Sequence, residues 1–172
     1  MPEHADDTPL QGDDLETWAS LATVLEWLPH ALDAGLMQEA GLTHFEYGIL
    51  YALATAPEHT LRMSTLAGYA KSSPSRLSRA VARLETRGWI ARTADPDDGR
   101  SVRATLTAAG FDHYDLATPG HELRVRRLVL DPLTNAQKRQ LRDASKRIMR
   151  AISADGERES LPAPHTGDPI SI

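Results

Sequence analysis

Five side chains in one short stretch have the chemistry to meet a polyanion: Ser73, Ser75, Arg76, Arg79 and Arg83, in SSPSRLSRAVARLETRG. At about 100° per residue, a helix here would gather Ser75, Arg79, Ala82, Arg83 and Thr86 on one side, with Arg76 at the flank. Leu77, Val81 and Leu84 would take the other side. A guanidinium can donate two hydrogen bonds to O6 and N7 of guanine, and a small residue such as Ala82 lets the face approach a major groove. A second candidate, RTADPDDGRSVR, follows at once. There Asp95, Pro96, Asp97 and Gly99 suit a turn, and Asp98 is placed to hold Arg100 in a fixed pose for a narrow, negative minor groove. Arginine-rich helix faces are often merely solvated. Here the face is almost free of acid, because Glu85 lies toward the following hairpin.

These residues need a frame, and hydrophobic spacing supplies one. From Leu15, apolar residues recur at Trp18, Leu21, Leu25, Leu28, Leu32 and Leu36, the pattern of a long amphipathic helix that Gly41 ends. Pro29 falls inside it, so a bend is expected near Trp27 to His30. Thr43 and Glu46 form a capping box for a second helix, with Phe45, Ile49, Leu50 and Leu53 as its buried stripe and Pro57 as its stop. A short extended piece over Leu61 to Met63 leads to Ser64, expected to cap a helix through Ala70. Ser73 followed by Pro74 starts the arginine-bearing helix, which runs to Arg87 with Gly88 at its end. Two strands follow, Trp89 to Thr93 and Val102 to Leu106. Thr107 caps a further helix that Pro119-Gly120 is expected to break or bend. Thr134 and Gln137 box the last one, whose apolar face is Leu141, Ala144, Ile148 and Ile152.

Composition narrows the function. The chain has 172 residues, enough for one sizeable core, and no cysteine, so disulfides, thiolate chemistry and cysteine-based zinc sites are excluded. The start lacks the basic and apolar run of a signal peptide, and no apolar stretch is long enough to span a bilayer. A cytoplasmic protein without a membrane partner is the expectation. The formal charge of -5 is uneven. Residues 1–16 hold six acids and no Lys or Arg, whereas residues 71–103 hold Lys71 and seven arginines against four acids. Residues 121–150 are basic too, the usual character of a solvated helix face.

Helix, tight turn, capped helix and two-stranded hairpin follow one another in the order of a winged helix-turn-helix. The fold class is therefore mainly α, with a two-stranded β wing and a helical dimerisation region built from the N- and C-terminal helices. The expected division is a disordered acidic stretch over 1–13, a domain over 14–153 and a disordered tail over 154–172. Within the domain, the winged motif covers about 43–106 and the dimerisation helices about 14–40 and 107–153. First and last helices bracket the winged motif and carry apolar faces that one small domain would struggle to cover, which points to a homodimer.

The run LRMSTLAGYAKSSPSRLSRAVARLETRGWIARTADPDDGRSVRATLTAAG resembles the central region of the MarR family of bacterial transcriptional regulators. GLTHFEYGILYALATAP and TPGHELRVRRLVLDPLT extend the likeness, so it covers about residues 15–153. The resemblance implies intertwined first and last helices in a homodimer that binds double-stranded DNA at pseudo-palindromic operators. It also implies repression relieved by a small, often aromatic effector. It places Ser73, Ser75, Arg76 and Arg79 among recognition-helix DNA contacts, and Asp98 and Arg100 on the wing's Asp-x-Arg motif. Two departures stand out. Gly99 replaces the long residue many relatives carry, which implies one phosphate contact fewer, and Pro29 lies where the first helix is commonly continuous.

Other readings remain beside this one. A winged-helix module that binds protein without sequence-specific DNA binding would share the fold. An enzyme lacks support, since no nucleophile-base set, phosphate loop or metal spacing appears, and no cofactor is expected. The seven histidines show no helical pairing for a metal. His121 and Arg124 are read first as a structural contact. Trp18, Trp27 and Tyr51 are read as core first and as an effector lining second.

Overall fold

Four of the five expected N-caps, Thr43, Ser73, Thr107 and Thr134, act where the sequence places them. In the computed structural model, which describes residues 9–70 and 72–155, six helices and three strands form in the order α1 (Gly12–Ala40), α2 (His44–Ala54), β1 (Thr60–Arg62), α3 (Met63–Tyr69), α4 (Pro74–Thr86), β2 (Ile90–Ala94), β3 (Val102–Leu106), α5 (Ala108–Val125) and α6 (Asn135–Asp155). A 3-10 turn, Pro57–His59, precedes β1, and a π-helical turn, Arg126–Leu130, follows α5. The chain is mainly α with a winged helix-turn-helix at its centre.

Thr43 caps α2 through a complete capping box with Glu46, and Thr134 and Gln137 reproduce it at α6. Ser73 accepts from the Arg76 amide at the start of α4, with Pro74 in the first turn, and Thr107 accepts from the Gly110 amide at the start of α5. At the far end of α4, Gly88 takes the left-handed conformation (φ 74°) that lets the Gly88 and Trp89 amides bond back to Glu85 and Leu84. Glycine fits there because a Cβ would be strained.

Three local expectations are corrected. Ser64 is not a cap: α3 starts one residue earlier, at Met63, with Arg62 in the cap position and no side-chain cap bond. The prolines break neither long helix, since α1 continues through Pro29 and α5 through Pro119. Both prolines are exposed, as are Leu25 and Asp115, whose carbonyls meet no amide proton at the proline four residues on. Finally, the wing hairpin is part of a three-stranded antiparallel sheet, β1-β3-β2, because β1 pairs with β3 from Thr60 opposite Thr105 to Arg62 opposite Arg103. At the ends of the frame, α1 begins at Gly12 and α6 reaches Asp155. The rest of the expected acidic stretch and tail, 1–8 and 156–172, lies outside the described residues.

The core joins α2, α3, α4 and the sheet. Ile49, Leu50, Leu53, Leu66, Leu77, Val81, Leu84 and Ile90 are buried in one cluster, which also takes in Leu36 of α1 and Ala117 of α5. Phe45 is only half-buried, at the cluster's edge. Helix α5 packs along α1 and α2. Where α1 and α5 cross, Arg124 pairs with Glu39 at 2.7 Å; Gly35 leaves room for the guanidinium and Gly120 for the carboxylate.

That junction also buries polar groups. His121 lies 4.2 Å from the Tyr47 ring and 5.5 Å from the His44 ring, and neither histidine's Nδ1 has a partner. His121 and Arg124 lie toward the end of α5, not at a helix start, and pack it against α2 and α1; local spacing does not reveal that His44 and His121 meet. Desolvation pushes His121 down to about 4, helped by nearby His44 and Arg124, and it lowers His44 despite the opposing pull of Asp33. Both rings therefore stay neutral in the fold but take up protons near 6.5 when unfolded. Stability is complete above that pH and declines as pH falls from 6.5 toward 4. The melting temperature is expected to drop between pH 7 and 5, with a flatter profile for His121→Leu; an equally steep profile would remove His121 as the cause.

Candidate nucleic-acid interface

Helix α4 presents four different faces. Leu77, Ala80, Val81 and Leu84 are buried against the core. On the flank toward β2, Glu85 forms a short ion pair with Arg92. Outward lie Ser75, Arg79 and Thr86, all exposed, and the Arg79 guanidinium has no acid or carbonyl partner among the described residues. An unpaired guanidinium on an outward helix face can donate to a ligand without breaking an internal bond.

The remaining flank carries Arg76 and Arg83, and α2 engages both. Arg83 Nε donates to Glu46 Oε1 at 2.8 Å, while the Arg76 guanidinium lies 4.3 Å from the Phe45 ring centre. Arg83 therefore sits at the flank of the outward face, with a buried internal partner that helical periodicity could not reveal. Burial pushes the Glu46 carboxyl up, but the Thr43 amide and Arg83 outweigh this and hold it below the ordinary range. Ser73 is occupied as the cap of α4, with its Oγ 3.3 Å from the Arg76 amide and 3.2 Å from Ser75 Oγ.

The wing turn is organised by two of its three aspartates. Asp98 accepts from the Arg100 amide at 3.1 Å and from the Ser101 hydroxyl at 2.7 Å. It thus fixes the backbone on which Arg100 stands, and the Arg100 side chain projects from an exposed position. Those bonds keep Asp98 ionised, below the usual carboxylate range. Asp95, expected only to shape the turn, is the buried anchor of the whole sheet. Its carboxylate meets Arg62 Nε at 2.6 Å, Arg103 at 2.8 Å and the Asp97 amide at 3.1 Å. Burial raises its carboxyl, and the Asp97 amide and the two arginines more than reverse that. One carboxylate so ties β1, β3 and the wing turn together. The signal was there in the sequence, an Asp at the end of β2 facing arginines on two other strands, but reading it needs the strand register.

Asp98→Ala removes a negative charge from a basic region yet is expected to weaken DNA binding about threefold or more, because the turn beneath Arg100 loses two hydrogen bonds. Fluorescence anisotropy on a bound duplex measures it, and tighter binding by the variant would show Asp98 to be only repulsive.

Trp18 and Trp27 are exposed on α1, at 52% and 72%, whereas Tyr51 is half-buried against Tyr114. Trp18 and Trp27, read first as core, are surface residues within the single chain. Among the described residues, no group of three or more His, Asp or Glu side chains gathers in a metal-holding set.

A capped helix with an unpaired arginine face, beside a braced hairpin, on a helix-turn-helix core defines a winged-helix regulator. Comparison with known proteins agrees. Residues 40–101 match the model of the MarR family. The crystal structure of Sco3205, a MarR family transcriptional regulator from Streptomyces coelicolor in complex with DNA, is 39% identical and superposes with a TM-score of 0.79, over 91% of this chain and 96% of that one. AbsC, another MarR family regulator from Streptomyces coelicolor, is 32% identical with a TM-score of 0.79, over 84% of this chain and 98% of that one. CouR from Rhodococcus jostii, solved bound to p-coumaroyl-CoA, is 26% identical with a TM-score of 0.66, over 79% of this chain and 92% of that one. The transcriptional repressor Rv2887 of Mycobacterium tuberculosis is 39% identical over 70 residues, 41% of this chain, and the match spans about half, 49%, of that relative. The chain belongs to the MarR family of transcriptional regulators.

Proposed function

We propose that this chain is a homodimeric, sequence-specific DNA-binding repressor of pseudo-palindromic operators, released by a small aromatic effector. The observation that carries the reading is the outward face of α4, where the Arg79 guanidinium stands unpaired while its arginine neighbours Arg76 and Arg83 are held by α2. Arg79 reads a base edge in the major groove, Ser73 and Ser75 lie at the helix start where approach is closest, and Arg100 enters the adjacent minor groove from the wing. Sco3205, solved in complex with DNA, supports this use of the fold.

The dimer is supported by what the single chain leaves uncovered. Leu15 and Leu25 of α1 and Leu141, Ile148 and Ile152 of α6 are all more than 40% exposed. Apolar faces of that extent on the first and last helices suit a second copy. Two-fold symmetry then sets the two α4 helices about 34–36 Å apart, one turn of duplex. A regulator of this kind acts on DNA in the cytoplasm, and no described helix is long and apolar enough to cross a membrane.

An effector releases DNA only if it binds a dimer with wrongly spaced α4 helices more tightly than the DNA-competent one. CouR, bound to p-coumaroyl-CoA, points to aromatic acids and their thioesters as the compounds to screen. The test of the reading is a titration of duplex at several salt concentrations with and without these compounds. Steep loss of affinity with salt, and further loss with one compound, is expected. Salt-independent binding would remove DNA from the account, and no response to any compound would remove the effector.

A further inference from the structure

The first turn of α2 touches α4 at two points, and each is an arginine of the candidate interface. Glu46 is 3% exposed, and its two oxygens divide their work. Oε2 accepts from the Thr43 amide at 3.0 Å and the Thr43 hydroxyl at 3.1 Å, whereas Oε1 takes Arg83 Nε at 2.8 Å. One turn of capping therefore doubles as an anchor for a guanidinium on another helix. Beside it, Phe45 lies half-buried with the Arg76 guanidinium over its ring. Arg76 and Arg83 are seven residues apart, about two helical turns, so both project along one flank of α4. Their side chains remain exposed, with 55% of the Arg83 side chain open to solvent. The flank thus holds two cations whose directions are set by α2 and whose remaining N–H groups face outward.

We propose that Phe45 and Glu46 are positioning residues for DNA binding, holding Arg76 and Arg83 as a two-point clamp on the phosphate backbone while Arg79 reads the bases. This rests on the DNA-binding reading above and divides the labour within it. A helix whose outward face sits in the major groove has its flanks against the groove's sugar-phosphate walls, so flank cations meet phosphates. Arg83 adds a second reason: it lies in the last turn of α4, about 13 Å along the axis from Pro74, whereas base edges are reached from the N-terminal end. Pre-set guanidinium groups lose less rotamer freedom on binding than free ones.

The test uses the full-length protein and a duplex recovered by random-site selection. Arg83→Ala is expected to make the log-log salt dependence shallower by about 0.9, the value of one phosphate contact, and to leave the selected sequence unchanged. Glu46→Gln keeps the capping box, because glutamine caps as well as glutamate, but loses the charge that holds Arg83. It is expected to weaken binding by a factor of about two to five, with no further loss when added to Arg83→Ala. Phe45→Leu is expected to show the same dependence on Arg76→Ala. Thermal melts of each variant confirm folding, and Arg83→Lys is expected to restore the salt slope. A changed selected sequence for Arg83→Ala would make Arg83 a base reader, and an equal Glu46→Gln penalty with and without Arg83 would make Glu46 purely structural; either overturns the clamp. Failure of the wild-type protein to select any sequence would instead defeat the DNA-binding reading itself.

Discussion

Replacing Arg79 with alanine is expected to lower affinity for the cognate operator by about 1–3 kcal/mol, roughly 5- to 150-fold, without changing stability. The reasoning begins with what Arg79 does not do. It is exposed and pairs with no acid among the described residues, whereas Arg62, Arg83, Arg92, Arg103 and Arg124 all do. Removing it therefore breaks no internal bond, and the melting temperature stays put. A guanidinium that donates two bonds to one guanine contributes to recognition of that base pair and little elsewhere. The loss is accordingly expected on the operator and not on a scrambled duplex, and Arg79→Lys recovers little because it lacks the planar fork. Anisotropy titrations against both duplexes decide the matter: an equal loss on the two would make Arg79 a phosphate contact.

The largest stability effect from a small change is expected at Gly110, in the first turn of α5. Its amide donates to the Thr107 cap hydroxyl at 3.0 Å. A Cβ there would stand 2.1 Å from the Trp89 carbonyl oxygen and 2.8 Å from Leu106 Cδ1. Two effects oppose each other in Gly110→Ala. Helix propensity favours alanine by up to about 1 kcal/mol. The clash is larger, because the oxygen is backbone and accepts the Thr107 amide at 3.0 Å, so it cannot retreat without opening the joint between the wing and α5. Urea unfolding is expected to show the variant less stable by about 1–3 kcal/mol. A more stable variant would mean that the turn between the wing and α5 shifts freely.

What the sequence made legible was local. Thr43 with Glu46, Thr134 with Gln137 and Ser73 before Pro74 all announce themselves within four residues, and each forms as read. The wing turn was legible in outline for the same reason, since Asp98 bonds to its immediate neighbours. Ser64 misled because its cap geometry is good in isolation, but pairing of β1 with β3 carries the extended chain only to Arg62.

The hidden part of the interface is long-range. Asp95 looked like a turn residue until β1 and β3 brought Arg62 and Arg103 to it. Arg83 looked free until α2 placed Glu46 beside it, and His44 and His121 are neighbours only through the packing of α2 on α5. Apart from Asp95 and Arg103, which the hairpin brings together, these contacts join residues 33 or more positions apart, and helical or strand periods carry no information about such partners. The likeness to the MarR family pointed to α4 but not to which of its arginines are already held by α2.

Random-site selection followed by footprinting tests the central claim most directly, namely that this chain reads DNA as a symmetric dimer through α4 and the wing. The account predicts one enriched pseudo-palindrome whose half-sites lie about one helical turn, 34–36 Å, apart, with protection in successive major grooves and in the flanking minor grooves. Enrichment of no sequence, or of a single asymmetric half-site, would contradict it.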